Sequence, residues 1–158
     1  MRTVEEKAPS LRNFEPVASD DPAWAAAYDR LVAFGEPPDI ATLTIPAARV
    51  GLATDEVVRG LSDALIAGEQ QLASLPETIR GIQSTLVDMA ELYLKPDFMA
   101  ERRAYSQSRD AGQGLLDRWL AYQMLLADAV GYWRSALAVA EHNLEWQAYT
   151  NAQSGPSQ

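Results

Sequence analysis

The stretch Val58–Tyr93, VRGLSDALIAGEQQLASLPETIRGIQSTLVDMAELY, decides the fold. Its apolar or small residues fall at Val58, Leu61, Leu65, Gly68, Leu72, Leu75, Ile79, Ile82, Leu86, Met89 and Tyr93, at intervals that alternate three and four. A 3.5-residue period keeps one seam of a helix against a straight partner. Thr54 is an N-cap candidate, and Asp55 and Glu56 add carboxylates in the first turn, where the helix dipole favours them. A helix from Thr54 to Leu94 spans about 60 Å at about 1.5 Å per residue. Pro76 opposes continuity, since proline in a helix interior costs on the order of 3 kcal/mol. Ser74-Leu75-Pro76-Glu77 also fits a capping box. The heptad phase nevertheless runs through Pro76 unshifted, which predicts one helix, kinked near Leu72 to Pro76.

The partner is the next segment. Lys95-Pro96 interrupts the pattern, and proline disfavours helix at the residue before it. Phe98, Arg102, Tyr105, Arg109, Gly112, Leu116, Trp119, Gln123, Leu126, Val130 and Trp133 then repeat the three-four alternation. Folding the chain at Lys95-Pro96 sets Leu86 opposite Tyr105, Ile79 opposite Gly112, Gly68 opposite Gln123, Leu65 opposite Leu126 and Val58 opposite Trp133. Arg102 and Arg109 fall on seam positions facing Met89 and Ile82, where they either reach a carboxylate of a partner chain and fix register or, the favoured reading, snorkel outward past the seam. The fold class is therefore all-α: a long antiparallel helical hairpin, coiled-coil-like, with a short N-terminal helix.

Working outward, residues 1–19 are polar and aperiodic, broken by Pro9 and Pro16, and read as a mobile arm. Pro22 to Phe34 forms a short amphipathic helix with Trp24, Tyr28, Leu31 and Val32 on one stripe, and Gly35 stops it. Ile40 to Ile45, IATLTI, alternates like a strand but has no second strand to pair with. It reads as an extended segment across the hairpin, followed by a short turn from Pro46 to Gly51 that Thr44 caps. The hairpin domain occupies 20–150 and a polar tail 151–158. Leu137, Ala140 and Leu144 carry the second helix's seam past Trp133, so the Trp24 helix and Ile40 to Ile45 are expected to cover that end.

A hairpin buries one stripe per helix. Leu120, Met124, Ala127, Gly131, Ala138, Trp146 and Tyr149 occupy a neighbouring face of the second helix, and Ile66 and Val87 lie off the seam of the first. Apolar surface of that extent usually marks a partner. The economical solution is self-association into a four-helix bundle.

Composition narrows the function. A formal net charge of −9 opposes binding to nucleic acid or anionic lipid, both of which reward Lys and Arg. With no cysteine there are no disulfides and no thiolate chemistry. No run approaches 18 apolar residues, and the N-terminus has no signal-like apolar core, so the expectation is a cytoplasmic protein without a transmembrane segment.

The chemical inventory is sparse. His142 is the one histidine, set between Glu141 and Glu145 but without a Glu three residues before it, as a di-iron bundle motif requires. Gly112-Gln113-Gly114 lacks the strand, Lys and third glycine of a phosphate loop, and reads instead as a close helix approach. The carboxylates Asp88, Glu91, Asp117 and Asp128 lie off the seam. Neither cofactor nor metal is expected. Tyr105, Trp119, Tyr122, Tyr132, Trp133, Trp146 and Tyr149 crowd the second helix, half as seam residues, half as a surface able to stack a planar ligand.

The expectation is a non-catalytic interaction, scaffold or accessory-subunit protein that binds itself or another protein. Two alternatives stand beside it. Tyr93 to Gln107, YLKPDFMAERRAYSQ, within long Ala/Leu/Gln-rich helices, resembles the phasin family in composition, which implies a coat protein of hydrophobic storage granules. A small ligand- or metal-binding protein built on the aromatic cluster and His142 is the other.

Overall fold

The structure, a computed structural model, describes residues 22–39, 54–94 and 102–153. The expected arm, the Ile40 to Ile45 segment and its following turn, the Lys95-Pro96 reversal and Phe98 lie outside the described residues. The described chain is all-helical: α1 is Pro22–Phe34, α2 is Asp55–Tyr93 and α3 is Arg102–Gln153. α3 thus runs three residues into the stretch read as the tail.

Local chemistry accounts for the helix ends. The backbone N–H of Val57 donates to Thr54 Oγ1 at 3.2 Å, so Thr54 caps α2 with Asp55 and Glu56 in its first turn. α1 begins on Pro22 and stops at Gly35, whose φ of 67° is the left-handed conformation favouring glycine. α2 is continuous through Pro76. Ser74 Oγ donates to the Gln71 carbonyl at 2.8 Å, a bond within a continuing helix, so Ser74 does not open a new one.

The chain divides into two compact units. The first holds α1, α2 from Leu75 onward and α3 up to Tyr122; the second holds α2 up to Ser74 and α3 from Gln123.

In the first unit three helices share one core. Trp24, Ala27, Tyr28 and Leu31 are the buried face of α1. Val32, assigned to that stripe from sequence, is instead 47% exposed, and Ala27 takes its place. Ala27, Tyr28 and Leu31 are the i+3, i+4 and i+7 positions counted from Trp24; Val32, at i+8, stands about 80° round the helix from Trp24, at the edge of the stripe. The sequence suggested that α1 covers the far end of α3, but α1 groups with α2 from Leu75 onward and α3 up to Tyr122. It docks where small residues admit it: a Cβ on Gly81 would meet the Phe34 ring at 2.7 Å, and one on Gly112 would meet Leu31 Cδ1 at 2.9 Å. Polar contacts frame the docking. Arg30 reaches Asp88 at 3.1 Å, Arg118 binds both Glu36 carboxylate oxygens at 2.7 Å, and the Trp119 indole N–H donates to the Gly35 carbonyl at 3.0 Å. Burial pushes the Tyr28 phenol above its usual pKa, and nearby Asp29 adds to the shift.

In the second unit α2 and α3 pack as a pair. Leu61, Gly68, Leu126, Val130, Trp133 and Ala140 are buried, Gly68 lies against Val130 and Trp133, and Arg134 bridges to Glu69 at 2.7 Å on the rim.

In both units the seams meet one heptad away from the sequence expectation. In the first unit the nearest α2 atom to a Cβ on Gly112 is Leu86 Cδ2, at 2.7 Å, where Ile79 was expected. A Cβ on Gly68 would meet Val130 Cγ2 at 2.8 Å and Trp133 Cζ3 at 2.9 Å, where Gln123 was expected. A seven-residue slide leaves the seam's phase intact, so a heptad pattern fixes which residues face the partner but not their level.

Candidate interaction surfaces

The residues singled out from sequence are placed on the surface. Leu120 in the first unit is exposed. In the second unit Met124 is 70% exposed, and Ala127, Gly131, Ala138, Trp146 and Tyr149 are exposed as well. Nothing lies within 4 Å of a Cβ built on Gly131, so this glycine sits on open surface rather than against a described neighbour.

The sequence reading missed a second row on α3, although its signal was present. In the first unit Ser108, Ala111, Leu115, Arg118 and Tyr122 alternate three and four; all but Arg118 are buried, and Arg118 is the residue that clamps Glu36. The same alternation continues in the second unit as Leu125, Ala129, Tyr132, Ala136, Val139, Asn143 and Trp146. Its large members are spaced by seven and are 39% (Leu125), 47% (Tyr132), 52% (Val139) and 62% (Trp146) exposed. Ala136, by contrast, is buried. Three residues after each large member comes Asp128, Ser135, His142 or Tyr149, a companion row with one carboxylate.

The aromatic residues divide by unit and by face. Trp119 and Tyr122 are core, in edge-to-face contact with centroids 6.2 Å apart, and Trp133 is core in the second unit. Tyr132 is surface. Trp146 and Tyr149 are surface too, stacked at 5.7 Å with an interplanar angle of 29°. With His142 and Glu145 they line an open recess of about 390 Å³. Among the described residues no group of three or more His, Asp or Glu is placed to hold a metal ion.

The first unit has a groove of about 370 Å³ between α2 and α3, with Leu86, Val87, Ala90 and Leu116 flanked by Gln83, Arg109, Asp110 and Gln113. Arg109 is half-exposed along this groove, its guanidinium 4.0 Å from Asp110, while Ile82, its expected neighbour, is fully buried. Gly112 serves helix approach, and Gln113 donates to Asp117 at 3.1 Å along the helix surface.

Among the described residues no helix is long and apolar enough to cross a membrane. No protein-family model matches the chain, and neither a curated protein nor a solved structure does.

Proposed function

We propose that this chain is a non-catalytic helical interaction protein of the cytoplasm, binding through exposed apolar faces of α3. One observation carries the reading: the second unit presents Met124, Tyr132, Val139, Trp146 and Tyr149 to solvent on a single helix. Scattered apolar residues on a surface are ordinary; contiguous ones along one helix mark a binding face. An aromatic-rich, charge-poor patch is also the composition of interface cores. Absence of cysteine suits the compartment.

The test is copurification of the full chain with whatever it binds. Wild-type protein is expected to retain a stoichiometric protein partner, itself or another. Met124→Asp is expected to lose that partner while keeping its helical spectrum, and His142→Ala to keep both. A folded wild-type chain that elutes alone and monomeric at micromolar concentration overturns the reading. So does a His142→Ala variant that assembles normally but has lost biological activity.

The likeness of residues 93–107 to phasins supports a second reading, in which the same apolar face lies on a hydrophobic storage granule. Recovery of the wild-type chain with the granule fraction, and release of Met124→Asp into the soluble fraction, is the result that selects it.

A further inference from the structure

We infer that the face of the second unit along Leu125, Tyr132, Val139 and Trp146 receives a second copy of this chain, packed antiparallel, α3 on α3. The inference rests on the interaction reading above and adds its partner and geometry.

The order of the row points to self-pairing. A two-fold axis between Ser135 and Ala136 sets Leu125 opposite Trp146 of the second copy, and Tyr132 opposite Val139. The four large positions thereby form four layers from two kinds of pair, each a larger aromatic against a smaller aliphatic side chain. Ala129, part-exposed in the same row, leaves room between the layers, as close helix packing requires, while Ala136 is already buried within the chain. A contact of this kind is isologous and closes on itself, so it produces a dimer rather than a fibre.

Charge agrees. A chain of net charge −9 repels its copy, so a face for self-association must be poor in charge. The large row carries none. In its companion row the single carboxylate, Asp128, comes within one residue of the level of His142 of the second copy, and the axis repeats that pairing on the other side. The acidic residues of this stretch of α3 that have no such counterpart, Glu141 and Glu145, fall outside both rows.

Area is sufficient. With large side chains burying about 150–250 Å² each, the half-exposed row and its neighbours Met124 and Tyr149 offer roughly 600 Å² per copy. A standard interface takes about 800 Å² per partner. Contacts from the exposed Gly131 and Ala138 narrow the gap.

The experiment is analytical ultracentrifugation of the full chain, with cysteine pairing to read direction. Wild-type protein is expected at twice the monomer mass of 17.3 kDa. Tyr132→Asp and Val139→Asp are expected to raise the dimer dissociation constant at least about 100-fold, because a buried unpaired charge is strongly destabilising. Both positions are half-exposed within one chain, so circular dichroism should not change. The chain has no native cysteine, so mixing Tyr132→Cys with Val139→Cys protein reads the pairing directly. Disulfides between the two variants should outnumber those within either. A monomeric wild type, a dimer indifferent to Tyr132→Asp, or a preference for 132–132 disulfides overturns the inference. A monomeric wild type that nonetheless copurifies another protein through Met124 ends the self-pairing inference and leaves the interaction reading standing.

Discussion

In the first unit α2 and α3 carry a third helix, and the α3 row Ser108, Ala111, Leu115 and Tyr122 is buried with it. In the second unit the described chain supplies no third helix, and the row in the same heptad phase leaves Leu125, Tyr132, Val139 and Trp146 about half-exposed. One helix therefore contributes the same kind of row twice, once to a closed core and once to an open face. The difference between them is not in α3. It lies in α1, which the first unit admits between glycines at positions 81 and 112 and ties down through Arg118 and Trp119.

The largest test of that contrast is truncation of the two rows. Leu115→Ala or Leu31→Ala in the first unit should cost about 2–5 kcal/mol, since each removes a fully buried side chain. Tyr132→Ala, measured below the concentration of any association, should stay within about 0.5 kcal/mol. Urea unfolding with equal slopes reads both. A Tyr132→Ala loss comparable to that of Leu115→Ala would mean that the second unit's row is buried within one chain, and the contrast would fail.

The glycines sharpen the comparison. Gly112→Ala places a methyl 2.7 Å from Leu86 Cδ2 and 2.9 Å from Leu31 Cδ1, and displacing these buried side-chain ends should outweigh the helix-propensity gain of about 1 kcal/mol, for a net loss of up to about 2 kcal/mol. Gly131→Ala meets nothing and should stabilise by up to about 1 kcal/mol through helix propensity alone. Thermal unfolding of the two variants should move in opposite directions; a shared direction would contradict the closed and open environments assigned to them.

The heptad shift gives a covalent readout within the second unit. Gly68→Cys with Val130→Cys should oxidise to an intrachain disulfide, and Gly68→Cys with Gln123→Cys should not. Reversal of that pattern restores the register read from sequence.

The smallest effect is alkaline. The folded-state pKa of Tyr28 lies above the usual 10.0, so its stabilising contribution is complete below that pH and is lost as pH rises through the folded value. Tyr28→Phe should remove that part of the alkaline loss and leave the neutral-pH difference small; equal alkaline sensitivity in both proteins would assign the loss elsewhere.

Much of this was legible in the sequence because it is local. The Pro22 to Phe34 helix, the Thr54 cap and the seam phase follow from spacing, capping chemistry and turn residues, each of which acts within a few positions. Register was not legible, because a repeat of seven is blind to a slide of seven. The docking place of α1 was not legible either. It depends on which glycines come together after folding, and Gly81 and Gly112 are thirty-one positions apart. The open row was available in principle: Leu125, Tyr132, Val139 and Trp146 are spaced by seven. It repeats the spacing of the buried row before it, and only the exposure of its large members separates the two.

The four tryptophans fall two to a unit: Trp24 and Trp119 in the first, Trp133 and Trp146 in the second. Three are buried, and only Trp146 stands in water. The unmodified protein therefore carries its own optical label. The quenchable, red-edge part of its emission comes from one indole at the end of the open row, while the other three report on core. Collisional quenchers added from solution should reach Trp146 first, and anything that settles on that face should shield it before the rest of the spectrum responds.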